Sequence, residues 1–212
     1  MNGLSNYFNE NVLGDLGIYS MQYNDEIFKA LVDVIIPRTP VLAEEYGRIQ
    51  YYGALDLYTD EYLIISLNSL SVPIAEPTAE LLELAAQQYL FTEGAGSNGD
   101  LESAEWSTFG ALSPKERLQV LTLLEQAQVD AADLPVPFRD NQTYVRNIVG
   151  ALGRSTLMGY YSEWSGYGST RMDPPNQRSL EYFPISWVQV GYPGPSLGYR
   201  SLRVNNSGQS NL

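Results

Sequence analysis

The side chains that could do acid–base chemistry are carboxylates, and they come in pairs: Glu44–Glu45, Asp60–Glu61, and Asp130 with Asp133. Glycoside hydrolysis needs two carboxyls facing one cleft, roughly 5–10 Å apart and in unlike environments. Adjacency in sequence does not supply that geometry, and on their own these pairs read as solvated helix faces or turns. Asp130 and Asp133, in "QVDAADLP", read as turn residues. The chain has no histidine and no cysteine. That removes the commonest general base, thiolate catalysis, iron–sulfur ligation and Cys-attached haem. A Ser–Lys pair could draw only on Lys29 or Lys115. Oxygen-ligated hard cations remain the only metals these side chains suit, and no calcium loop of alternating acids is present. The stretch "GAGSNG" at 94–99 matches G-x-G-x-x-G, but a helix precedes it, and Asp100 and Glu102 follow where a phosphate would sit. A flexible loop is the better reading of it. "NQT" at 141–143 is formally a glycosylation sequon. These residues predict a chain that catalyses nothing by itself and carries no cofactor or metal.

Helical elements must position whatever the chain does. "NDEIFKALVDVIIPRTP" reads as a helix capped by Asn24, with Ile27, Phe28, Leu31, Val32, Ile35 and Ile36 on one face and Pro37 as its stop. From Glu44 to about Ser69 a looser period suggests one long helix, or two broken near Gly53 or Thr59. "EPTAELLELAAQQYLFTEG" and "LSPKERLQVLTLLEQAQ" are stronger. In the second, Ser113 caps, Pro114 opens, Glu116 completes a capping box, and Leu118, Leu121 and Leu124 mark the inner edge. "DNQTYVRNIVGALGRSTLMGYYSEW" reads as a last helix, with Tyr144, Ile148, Leu152 and Met158 in phase. Its Gly150, Gly153 and Gly159 either weaken it or admit a neighbouring helix. "SWVQVGY" could be one extended segment. The expected fold is all-α: an N-terminal extension over 1–24, a compact domain of five to seven helices over 25–161, an irregular aromatic segment over 162–204, and a flexible tail over 205–212.

The 212 residues carry a net charge of −13, and the imbalance is local. Residues 1–112 hold 17 acids and 3 bases, whereas residues 113–212 hold 8 and 9. The overall sign argues against nucleic acid and anionic membranes as main partners. No apolar run is long enough to span a bilayer. The start lacks a basic, then apolar, signal sequence, which predicts a cytoplasmic protein.

The chain has 16 tyrosines, and they crowd toward its end. Tyr160, Tyr161, Trp164, Tyr167, Tyr182, Phe183, Trp187, Tyr192 and Tyr199 are interleaved with Arg171, Arg178 and Arg200. Tyr, Trp and Arg dominate binding hot spots because each buries large area while keeping a polar handle. Pro193 and Gly194 would fix an irregular path along another surface. The alternative is that the segment wraps the chain's own helices. A stand-alone carbohydrate module stacking sugars on Trp164, Trp187 and the tyrosines, or a glycoside-acting enzyme using paired carboxylates in a Tyr-lined pocket, is a further alternative.

Three stretches together resemble one family: "FKALVDVIIPRTP", "LSPKERLQVLTLLE", and "TLMGYYSEWSGYG" followed by "WVQVGYPGPSLGYR". Their content and order are similar to subunit 3, the small or gamma subunit, of gluconate 2-dehydrogenase. The resemblance implies a non-catalytic accessory subunit. Its partner would be a glucose–methanol–choline (GMC) type flavoprotein that holds FAD and oxidises a sugar or sugar acid, often with a cytochrome c subunit taking the electrons. The small subunit would assist the partner's folding or export. The family's twin-arginine export signal is not seen, so a cytoplasmic complex is expected, with export alongside the partner as the alternative. The expected partner-facing residues are Tyr160, Tyr161, Trp164, Tyr167, Arg171, Arg178, Trp187, Tyr192, Pro193, Tyr199 and Arg200.

Overall fold

A computed structural model describes residues 24–93 and 107–194. The loop motif at 94–99, the extension and tail, Tyr199 and Arg200 lie outside the described residues. Among the described residues the architecture is all-helical, with no strand. Helix α1 covers 24–35. It is followed by α2 (Ala43–Tyr46), α3 (Thr59–Asn68), α4 (Ala75–Glu93), α5 (Thr108–Ala111), α6 (Pro114–Glu125), α7 (Gln142–Tyr161) and α8 (Ile185–Val190). Short 3₁₀ turns at Pro40–Leu42, Arg48–Tyr51, Leu55–Leu57 and Trp164–Thr170 complete it. No helix among the described residues is long and apolar enough to cross a membrane.

The 3.6-residue period of α1 aims Ile27, Phe28, Leu31 and Val32 into the core, where all four are fully buried. Asn24 is not the cap expected of it. It lies within the helix, and its buried Oδ1 accepts no hydrogen bond. The looser stretch from Glu44 breaks into α2, two 3₁₀ turns and α3. Tyr58 ends the second turn in the left-handed conformation (φ 56°), which re-aims the chain into α3. The capping box of α6 forms as expected: Ser113 Oγ accepts from Glu116 N, and Glu116 Oε2 accepts from Ser113 N at 2.8 Å. Its inner edge is Val120, Leu121 and Leu124, while Leu118 is exposed. In α7 the buried stripe is Val145, Ile148, Leu152, Thr156, Gly159 and Tyr160, and Met158 points outward.

Of the three α7 glycines, only Gly159 admits a neighbour. A Cβ there would lie 2.6 Å from Tyr62 Cδ1, so α3 and α7 pack at a distance only glycine allows. A buried carboxylate organises the other side of the core. Glu83 accepts from Thr108 N at 2.8 Å, Phe109 N at 3.1 Å and Ser107 Oγ at 2.9 Å, which fixes the start of α5 on α4. Arg117 then ties α6 to α5 through the Phe109 and Gly110 carbonyls, and to α1 through Asp33 at 3.8 Å.

The segment after α7 is more regular than its composition suggests. "SWVQVGY" is helix rather than strand, because Pro184 precedes its first turn and left-handed Gly191 ends it.

Candidate functional site

Three of the aromatic residues expected to face a partner instead face inward. Tyr160 is buried, and its hydroxyl donates to the Tyr52 carbonyl at 2.9 Å. Trp164 is 2% exposed, sits edge-on to Tyr62, and its Nε1 donates to the Tyr58 carbonyl at 2.6 Å. Trp187 is buried too, its Nε1 donating to the Tyr161 carbonyl at 2.7 Å. Each buries a large ring and satisfies its single donor on a backbone carbonyl. The partner-facing reading of Tyr160, Trp164 and Trp187 therefore gives way to a structural one. The same burial removes both tryptophan faces as sugar platforms. Burial pushes the Tyr160 phenol up to about 12, with Tyr161 and Asp56 adding to it.

Arg171 is also spent internally. It makes a bidentate pair with Glu61, Nε to Oε2 at 2.6 Å and Nη2 to Oε1 at 3.0 Å. Its guanidinium lies 3.7 Å from the centre of the Tyr58 ring, and Nη1 donates to the Gly168 carbonyl. The hydrogen bond to Glu61 raises the Arg171 pKa above its ordinary value. Arg178 lies over the Trp164 ring at 5.1 Å and donates to the Asp173 carbonyl. Tyr167 donates to Glu163 at 3.0 Å, and burial followed by this carboxylate holds its phenol above the usual range.

Part of what remains outward borders α8. Tyr161 and Tyr192 are each 42% exposed, and α8 presents Val188 at 63% and Val190 at 52%. Tyr161, Trp187, Val190 and Tyr192 line a shallow groove of about 380 Å³, with Pro193 exposed beside it. Gln189 Nε2 donates to the Arg48 carbonyl at 3.3 Å, so α8 adjoins the Arg48–Tyr51 turn. That turn and its neighbour α2 add exposed Tyr51 and Tyr46. Of the expected interface residues, this face holds Tyr161, Tyr192 and Pro193. Val188, Val190, Tyr46 and Tyr51 were not anticipated. The signal for the two valines is the helical phase of "ISWVQV", which turns Ser186 and Trp187 inward and Val188 and Val190 outward.

The candidate acids do not converge on a cleft. Glu61 holds Arg171 with both oxygens, and Asp60 is buried in the first turn of α3. Burial, then backbone bonds opposing it, leaves the Asp60 pKa above its ordinary value. Glu44 and Glu45 are exposed on α2. Asp130 is the turn residue expected, its Oδ1 accepting from Ala132 N at 3.0 Å, and Asp133 is exposed nearby. Lys29 pairs with Asp25 at 2.5 Å, which raises its pKa, and Lys115 is exposed beside the α6 cap. Among the described residues no three acidic side chains are grouped to hold a metal ion. A cavity of about 500 Å³ between α1, α3, α4 and Met172 is lined by Asp25, Glu61 and Glu76 together with Ile64 and Ile65.

No protein-family model matches the chain, and no curated protein or solved structure matches it either.

Proposed function

We propose that this chain is the non-catalytic small subunit of a flavin-dependent sugar dehydrogenase, docking through the α8 face on a GMC-type flavoprotein that holds the FAD. The observation that carries the reading is that Tyr161, Val190 and Tyr192 line one groove, with Val188 exposed on the same short helix and the Arg48–Tyr51 turn adjoining it. This face is built from the "WVQVGYPG" stretch, one of the three on which the resemblance to gluconate 2-dehydrogenase subunit 3 rests. Contiguous exposed apolar surface of this kind marks interaction sites. Tyrosine suits it, because a ring can be covered while its hydroxyl meets a polar rim.

In this reading the chain supplies surface and the partner supplies chemistry. Covering the face lowers the free energy of the partner's folded state by mass action, which is how a subunit without reactive groups assists folding or export. An obligate contact should bury more than about 2,000 Å² in total. A cytochrome c subunit, where present, would take electrons from the flavoprotein.

Co-expression tests it. The chain is produced with and without a GMC-type flavoprotein encoded beside it, and soluble flavin-loaded enzyme is measured. The reading expects flavoprotein yield to fall sharply without the chain. Equal yield and equal dehydrogenase activity with and without it would overturn the reading.

A further inference from the structure

The docking face is not continuous with the main core. The contiguous set of buried apolar residues ends at Tyr160, and Trp164 and Trp187 are buried outside it, with only Ile185 of α8 leaning on its edge. Residues 162–194 are instead heavily cross-tied to themselves. The Gly166 carbonyl accepts from Glu181 N at 2.8 Å and from Tyr182 N at 3.0 Å. Glu181 accepts from Ser169 N at 3.0 Å and from Ser169 Oγ. Thr170 Oγ1 donates to the Ser179 carbonyl and accepts from Ser179 N. Gly166 makes this fold-back fit, since a Cβ there would lie 2.5 Å from the Tyr182 carbonyl oxygen.

The side-chain hydrogen bonds from this segment to the body are few. They are the two indole bonds, the Ser162–Gly159 bond at the end of α7, the Gln189–Arg48 bond and the Arg171–Glu61 pair. The last is a clasp, half-way along the segment and closed over the Tyr58 ring. A segment that is internally tied, and joined to the rest at a few points outside the main core, meets the conditions for opening as one cooperative unit below the global unfolding free energy.

We infer that residues 162–194 form a strap that opens as a unit while the helical body stays folded, and that the Arg171–Glu61 clasp sets how often it opens. Opening carries α8 away from the Arg48–Tyr51 turn, so the docking face exists only while the strap is shut. That consequence rests on the proposed function; the opening itself is a property of the chain alone and is measured without any partner.

Hydrogen exchange on the isolated full-length chain tests it. The amides of Glu181, Tyr182, Trp187 and Tyr192 are followed against body amides of Val120 and Leu124. In the wild type the four strap amides should exchange with a common opening constant, at least about tenfold faster than the body. Arg171→Gln should speed the strap amides by a further factor of about ten or more and leave the body amides unchanged. Strap and body amides that exchange at one common rate in the wild type overturn the inference, whether or not the variant folds. So does an Arg171→Gln protein in which both sets speed up equally.

Discussion

The indole Nε1 of Trp164 donates to the carbonyl of Tyr58 at 2.6 Å across 106 residues of chain. Tyr58 is also the residue whose left-handed backbone starts α3 and whose ring lies under Arg171. One residue thus takes both the first indole of the strap and its clasp. Trp164→Phe keeps most of the buried ring and loses this bond, while Tyr62 N still donates to the carbonyl at 3.3 Å, so it should cost about 0.5–1.5 kcal/mol. Trp164→Ala should cost about 3–5 kcal/mol by adding a cavity. Urea midpoints at constant slope measure both, and a Trp164→Phe midpoint equal to wild type would remove the hydrogen bond from the account.

Two glycines on one helix should respond with opposite sign. Gly159→Ala drives a methyl into Tyr62 and should destabilise by roughly 1–3 kcal/mol. Gly153 has nothing within 4 Å of a built Cβ, so Gly153→Ala should stabilise by about 0.5–1 kcal/mol through helix propensity alone. Thermal or urea denaturation of the two variants checks the pair.

Legibility followed the range of the interactions. The α6 capping box was readable because Ser113 and Glu116 are three residues apart, and the α1 face because its period is local. That one of the α7 glycines would admit a helix was readable, but which one was not, since it depends on where Tyr62 lands. The aromatic segment was legible as an unusual surface-forming region. Its division into inward Tyr160, Trp164 and Trp187 and outward Tyr161 and Tyr192 was not. Each inward ring meets a backbone carbonyl, at Tyr52, Tyr58 or Tyr161, that only the folded chain brings beside it. The Arg171–Glu61 pair joins residues 110 apart, so spacing gives no hint of it. Reading "SWVQVGY" as extended overlooked the helix start that Pro184 provides.

Tyr160 should give the protein an alkaline limit. Its phenol is raised from 10.0 to about 12 in the folded chain, so the folded state keeps a proton that the unfolded chain loses first. The contribution is fully present below pH 10 and is lost as pH rises from there toward about 12. Urea midpoints across roughly pH 9 to 12 should fall less steeply in Tyr160→Phe than in wild type. Parallel curves would mean the hydroxyl is not buried on Tyr52.

The docking face should be separable from stability. Val188→Asp and Val190→Asp alter exposed side chains on a short helix, so each should change folding free energy by no more than about 0.5 kcal/mol. In a central interface position the same charge should weaken partner binding by about 2 kcal/mol or more, roughly thirtyfold.

The most direct measurement is flavin content after native capture. The tagged chain is isolated at its natural level from the cells that make it, beside a Val188→Asp, Val190→Asp double variant, and FAD and bound polypeptides are quantified. The account predicts a GMC-type flavoprotein and FAD in fixed proportion to the wild-type chain, both lost from the variant. A wild-type chain that emerges without flavin, or a variant that retains it in full, would contradict the claim that α8 docks a flavoprotein.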